Sequence, residues 1–144
     1  MTIDVVVADA NVLLSAVIGK AANKVFTEHD VIVHVAEFNA SEVEEYIPRL
    51  AKKYGIPDRI ASIAWQVLPT IVHPAHDYQD EYDRALADMQ ERDPEDAHAL
   101  ALSRHLDVPL WSNDKDFSGQ VVECYSTAEL LSILEGKIPR RIPQ

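Results

Sequence analysis

Short β-branched runs alternate along this chain with stretches whose apolar residues recur at helical spacing, and that alternation predicts a parallel sheet covered by helices, an α/β fold. IDVVVA at 3–8 reads as a buried strand, VIVHV at 31–35 as a second, and VPLWS at 108–112 and QVVEC at 120–124 as two more. TIVH at 70–73 is weaker, a strand or only a connector. Val43, Tyr46, Ile47, Leu50 and Tyr54 mark the apolar face of one helix, which Gly55 and Pro57 stop. Pro57 opens the next, through Ile60, Ile63, Ala64 and Val67. Tyr78, Tyr82, Ala85, Leu86 and Met89 form a third stripe that ends near Asp93-Pro94. A last helix starts at Ser126, whose S-x-x-E spacing to Glu129 is a capping box, and buries Leu130, Leu131 and Leu134.

At 144 residues and 47% apolar content the chain suits one domain, residues 1–144, with a basic, proline-containing tail at 137–144. No apolar run reaches the roughly 18 to 20 residues of a membrane helix, and the N-terminus lacks a leader pattern, so a cytoplasmic protein is expected. The lone Cys124 cannot form an intramolecular disulfide and reads as a small buried residue on a late strand. The net charge of −11 argues against a broad basic face for nucleic acid. Much of that excess is local, because residues 77–96 hold nine acids against Arg84 and Arg92. Arg49, Lys52, Lys53 and Arg59 reverse the balance elsewhere, as a solvated helix face or as phosphate contacts.

The acids carry the candidate chemistry. Asp9 directly follows the first strand, where an open parallel sheet places its ligand crevice. It either caps the helix that follows or leaves that task to Asn11 and remains a carboxylate free for function. Among Glu37, Glu42, Glu44 and Glu45, helical geometry separates two candidates. With Glu42 at zero and about 100° per residue, the apolar face centres near about 90°, and Glu45 falls about 150° from that centre, toward water. Glu42 borders the apolar face in the first turn, either facing the crevice or closing a capping box with Asn39. Asp93-Pro94-Glu95-Asp96 is a strong helix start in which capping accounts for Asp93, while Asp96 sits near free first-turn amides that favour its ionised form. Asp114 and Asp116 follow a strand in a polar turn, as turn formers or as ligands for a hard cation. Trp111 and Phe117 read as core. The six histidines contain no i, i+4 pair, which disfavours a transition-metal site and leaves a general acid or base role open.

Asp9 after the first strand, Glu42 on the helix after the second, Asp96 after Asp93-Pro94, and Asp114 in WSNDKDF together resemble the PIN-domain nucleases. VVADANVLLSA and RDPEDAHALALSRHLDVPLWSNDKDF carry the likeness, which spans nearly the whole chain and looks nearest to small stand-alone members of the VapC-toxin type. The resemblance implies a three-layer α/β/α sandwich around a central parallel sheet of four or five strands. It also implies a nuclease cutting RNA with Mg²⁺ or Mn²⁺, one or two ions. Asp9, Glu42, Asp96 and Asp114 would be its catalytic quartet. Asp9, Asp96, Asp114 and the auxiliary Asp116 would be metal ligands, with Asn11, Ser15, Ser112 and Asp93 as polar supports. An RNA substrate, an antitoxin partner and a homodimer follow from the same likeness.

Two readings from other classes compete. Aspartate after a first parallel strand also serves phosphotransfer proteins, but Asp9-Ala10-Asn11 lacks the second aspartate of a D-x-D motif. A catalytically silent PIN-like interaction module is the other, disfavoured by a complete set of acids.

Overall fold

The structure, a computed structural model, describes residues 2–89, 93–114, 117 and 123–136. Asp116, residues 120–122 of the fourth expected strand, and the 137–144 tail lie outside the described residues. The elements run β1 (Val5–Ala8), α1 (Ala10–Val17), α2 (Asn23–Thr27), β2 (Ile32–Ala36), α3 (Glu37–Tyr54), α4 (Asp58–Val67), β3 (Thr70–His73), α5 (Gln79–Asp88), α6 (Ala97–Leu106), β4 (Leu110–Trp111), β5 (Cys124–Tyr125) and α7 (Thr127–Leu134). Short 3-10 turns at Ala75–Tyr78 and Pro94–Asp96 precede α5 and α6.

The five strands lie in the order β3-β2-β1-β4-β5, and every pairing is parallel. Alternate residues of a strand face opposite sides of the sheet, and β1 shows both destinations. Val6 and Ala8 join a core that packs α1, α2, α3, α4 and α7 on one face, while Val7 joins the second core, formed with α5 and α6. The result is the expected three-layer α/β/α sandwich. TIVH at 70–73 is a true strand, pairing with β2 from Val33↔Thr70 to Ala36↔His73 at the sheet edge. Strand order reverses between β1 and β4, since β2 and β3 lie to one side and β5 to the other. Ligands of open α/β sheets bind beyond the carboxyl ends at such a switch point, and Asp9 and Ser112 are the residues that leave β1 and β4 there.

Helix ends follow local chemistry. Gly55 takes a left-handed conformation (φ 67°) in which its amide closes α3 on Ala51 and Lys52 carbonyls. Ser126 and Glu129 form both halves of the capping box of α7. Trp111 and Phe117 are core, and the Trp111 indole donates to Thr127 Oγ1 at 3.0 Å. Cys124 lies half-buried on β5 with its thiol pushed up to about 11, chiefly by burial.

Three local expectations are corrected. The helix α3 begins at Glu37, not at Asn39, so Asn39 cannot cap it, and no capping box with Glu42 forms. Tyr46 and Tyr54, read as part of an apolar face, are 50% and 40% exposed, because the helix turns Val43, Ile47 and Ala51 inward. The start expected for α6 at Pro94 is a 3-10 turn, with the α-helix beginning at Ala97. Among the described residues, no helix is long and apolar enough to cross a membrane.

Candidate active site

Asp9 serves as cap and as candidate ligand at once, because its two carboxylate oxygens are used separately. One, Oδ1, accepts the Val12 amide at 3.1 Å and caps α1, so Asn11 is not the cap. The other, Oδ2, accepts a hydrogen bond from the Ser112 hydroxyl. The Ser112 oxygen in turn accepts the Asp114 amide at 2.9 Å. Ser112 is buried at the end of β4 and so joins Asp9 to Asp114 across the gap between β1 and β4. Asp9 is only 6% exposed, and burial raises its pKa from 3.8 to about 6. The hydrogen bonds from Ser112 and the Val12 amide oppose that rise, and the charge of Asp114 adds to it.

Glu42 approaches from α3. Its Oε1 accepts the Asn39 side-chain amide at 2.8 Å, an i, i+3 contact within the helix. Burial raises the Glu42 pKa, Asn39 opposes the shift, and the charges of Glu95, Asp93 and Asp9 increase it. Those three neighbours place Glu42 in the same electrostatic field as the start of α6 and the end of β1. Asp93 caps its turn by accepting the Glu95 amide at 3.1 Å. Asp96 is half-buried where the 3-10 turn passes into α6. Asn11 is exposed and Ser15 half-buried on α1, and among the described residues no side-chain hydrogen bond ties either to the acids.

The edge between α3 and α6 is held by an aromatic cluster. His98 stacks on Phe38 with centroids 4.2 Å apart and planes 8° apart, meets Tyr82 at 4.8 Å, and shares a 2.6 Å hydrogen bond with the Tyr78 hydroxyl. A cleft of about 380 Å³ opens beside it, lined among others by Phe38, Glu42, Glu45, Tyr46, Arg49 and Glu95. Glu45 is exposed, as its helical angle required. In the sequence Glu95 stands out only as part of the Asp93–Asp96 helix start. No local signal in the sequence marks its place beside Glu42, which depends on the starts of α3 and α6 meeting in the fold.

The donors in this edge are carboxylates and hydroxyl groups, the set that a hard divalent cation takes, and neighbouring negative charge adds to the raised pKa of Asp9 and of Glu42 in a way that a cation would reverse. The acids among the described residues are not drawn into a closed cage. Among the described residues, three ligating atoms come within 4.8 Å of one another at Glu28, His29 and Glu135, near the ends of α2 and α7, and not within the acidic set. An open arrangement fits Mg²⁺ better than a cage would, since that ion keeps several waters and uses few protein ligands.

Residues 7–135 match the PIN domain family. No curated protein matches the chain. Among solved structures, a toxin–antitoxin complex from Klebsiella pneumoniae superposes with a TM-score of 0.63 at 21% identity, over 85% of this chain and 97% of that one. A protein from Pyrobaculum aerophilum gives 0.65 at 13% identity, over 95% and 98%. A sarcin–ricin loop cleaving VapC toxin from Mycobacterium tuberculosis gives 0.56 at 18% identity, over 81% and 95%. At these identities the likenesses establish the fold, and the family match over most of the sequence goes further: the chain belongs to the PIN domain family.

Proposed function

We propose that this protein is a divalent-metal-dependent endoribonuclease. The observation that carries the reading is the Asp9–Ser112–Asp114 bridge across the strand-order switch, with Glu42 in the field of Asp9, Asp93 and Glu95. Asp9, Asp96 and Asp114 would hold Mg²⁺ or Mn²⁺, and Asp116 would add an auxiliary carboxylate. When bound, such an ion supplies a water of lowered pKa and neutralises charge developing on phosphorus and on the leaving oxygen. Ser112 orients Asp9 for that role. Glu42, held by Asn39 and less acidic than a free glutamate, is suited to take the proton of the attacking water at its carboxylate. The new bond is water oxygen to phosphorus, and the bond broken is phosphorus to the ribose oxygen.

Toxin activity is part of the same reading, supported by the fold likeness to a toxin–antitoxin complex and to a VapC toxin. It brings a protein antitoxin as partner and a cytoplasmic location. Homodimerisation belongs to it as well, and Ile60, Ile63, Val67, Ile71 and Val72, exposed on α4 and β3, offer an apolar face that sedimentation equilibrium would test.

The decisive experiment incubates purified protein with end-labelled RNA and Mn²⁺, with EDTA and Asp9→Asn as controls, and follows Mn²⁺ binding by calorimetry. Cleavage that requires both the ion and Asp9 is expected. No cleavage by wild type, together with undiminished Mn²⁺ binding by Asp9→Asn, would sink the proposal in favour of a catalytically silent interaction module.

A further inference from the structure

The exposed side of α3 carries a pattern that the acid chemistry does not use. With Glu42 at zero and about 100° per residue, Arg49 and Lys53 fall within about 20° of it and Tyr46 within about 40°. These side chains form one stripe that starts at the acidic cleft and reaches Lys53 about 16 Å farther along the helix axis, at 1.5 Å per residue. The sign of charge reverses along it, from Glu42 and Glu45 to Arg49, Lys52 and Lys53. None of these three cations, nor Lys20, has an ion-pair partner among the described residues, in a chain of net charge −11.

A merely solvated helix face would use its acids. Glu45 and Arg49 stand at i, i+4 in the favourable order, yet no ion pair joins them. The Arg49 guanidinium lies over the Tyr46 ring instead, 5.3 Å from its centroid. Lys20 and Lys53 both approach Tyr54, at 5.1 and 5.5 Å. Half-exposed rings bracketed by unneutralised cations are the parts of a single-strand nucleic-acid surface, on which bases stack on aromatics while phosphates meet cations. The stripe is one helix wide, and its rings can be used only by bases already out of a duplex stack.

Resting on the ribonuclease reading, we infer that this stripe is a track for single-stranded RNA: Tyr46 stacks a base beside the cleft, and Arg49, Lys53 and Lys20 take phosphates leading away from the acids. The track places local positive charge where the chain as a whole repels RNA.

The test measures fluorescence anisotropy of a labelled, mixed-sequence RNA of about 12 nucleotides against protein carrying Asp9→Asn to suppress cleavage, from about 50 to 200 mM salt. Arg49→Ala with Lys53→Ala is expected to lower affinity about tenfold and to flatten the plot of log affinity against log salt by about 1.4, at 0.7 per lost phosphate contact. Tyr46→Leu is expected to weaken binding about fivefold or more without changing that slope. The same RNA annealed into a duplex should respond to neither change. Since these side chains are exposed, melting temperatures should not move and folding does not confound the result. Unchanged affinity and slope in the variants, equal losses for duplex and single strand, or no RNA binding at all would overturn the track. So would variants that keep RNA binding but lose a protein antitoxin, which would assign the face to that partner. The nuclease reading fails separately, if wild type with Mn²⁺ cuts no RNA while the track still binds it.

Discussion

Replacing Asp9 by asparagine is expected to stabilise the protein and inactivate it in one step. Asp9 titrates at 3.8 when unperturbed and at about 6 in the buried site. Below the lower value the carboxyl is protonated in folded and unfolded chains alike and contributes nothing to pH dependence. Between the two values the folded state binds the extra proton, so stability falls as pH rises, and above about 6 the full penalty for a buried charge is present. The gap corresponds to about 3 kcal/mol at about 1.36 kcal/mol per pH unit. Asparagine keeps an oxygen for the Val12 amide and caps a helix about as well as aspartate. Relative to the neutral carboxyl it loses the hydrogen bond with Ser112, about 1 kcal/mol, since the bond to the charged form is already contained in the shifted pKa. The net expectation near pH 8 is about 2 kcal/mol of added stability, or roughly 4 to 8 °C in Tm for a chain of this size. Near pH 4 the gain should vanish or turn into a small loss. Calorimetric melting of both proteins at the two pH values, without divalent ions, checks this. A destabilisation of equal size at both would refute the argument, because it would mean that Asp9 carries no burial penalty.

Other outcomes follow from the same geometry. Ser112→Ala removes the hydrogen bond that holds the Asp9 pKa down, so the acidic limb of a pH–rate profile should move to higher pH and metal affinity should fall about 10- to 100-fold; an unmoved limb counts against the bridge. Mg²⁺ at ten times its Kd should stabilise wild type by about 1.4 kcal/mol in thermal melts and should do less for Asp114→Asn. Gly55→Ala should cost about 1 kcal/mol or more in denaturant unfolding with activity intact. There the added methyl meets nothing within 4 Å, and the strain lies entirely in the φ of 67°.

Much of the architecture was legible because its signals are local. β-branched runs mark β1, β2 and β3, and the Ser126–Glu129 spacing predicts a box that forms atom for atom. What escaped depends on contacts between distant segments. Tyr46 has the period of a core residue, but a phenol can keep its hydroxyl and half its ring in water, and among the described residues only the Arg49 guanidinium of its own helix lies over it. Sequence offered cap or ligand as alternatives for Asp9, whereas two oxygens with different partners allow both. The pairing of His34 with His73 at 2.8 Å crosses two strands and leaves no trace in spacing along one helix. Glu95 and Asp93 enter the field of Glu42 only because α6 begins where α3 begins, a tertiary fact. Asp9 and Asp114 were readable together because a parallel sheet brings the ends of its strands to one edge wherever they fall in the chain, whereas Ser112 came only with the family resemblance.

The stack of Phe38 on His98 has a mechanical consequence. Glu42 rides on the helix that carries Phe38, and Asp93 and Glu95 sit on the turn that leads to the helix of His98, so like charges oppose the close approach of the two helix ends. The stacked rings act as a pin through that joint, and burial lowers the His98 pKa so that the pin adds no charge of its own near neutral pH. The acidic edge is therefore a joint closed by ring stacking against the repulsion of its own charge. Cation binding would relax that load, so a weakened pin such as Phe38→Ala should show as looser ion binding well before it shows as unfolding.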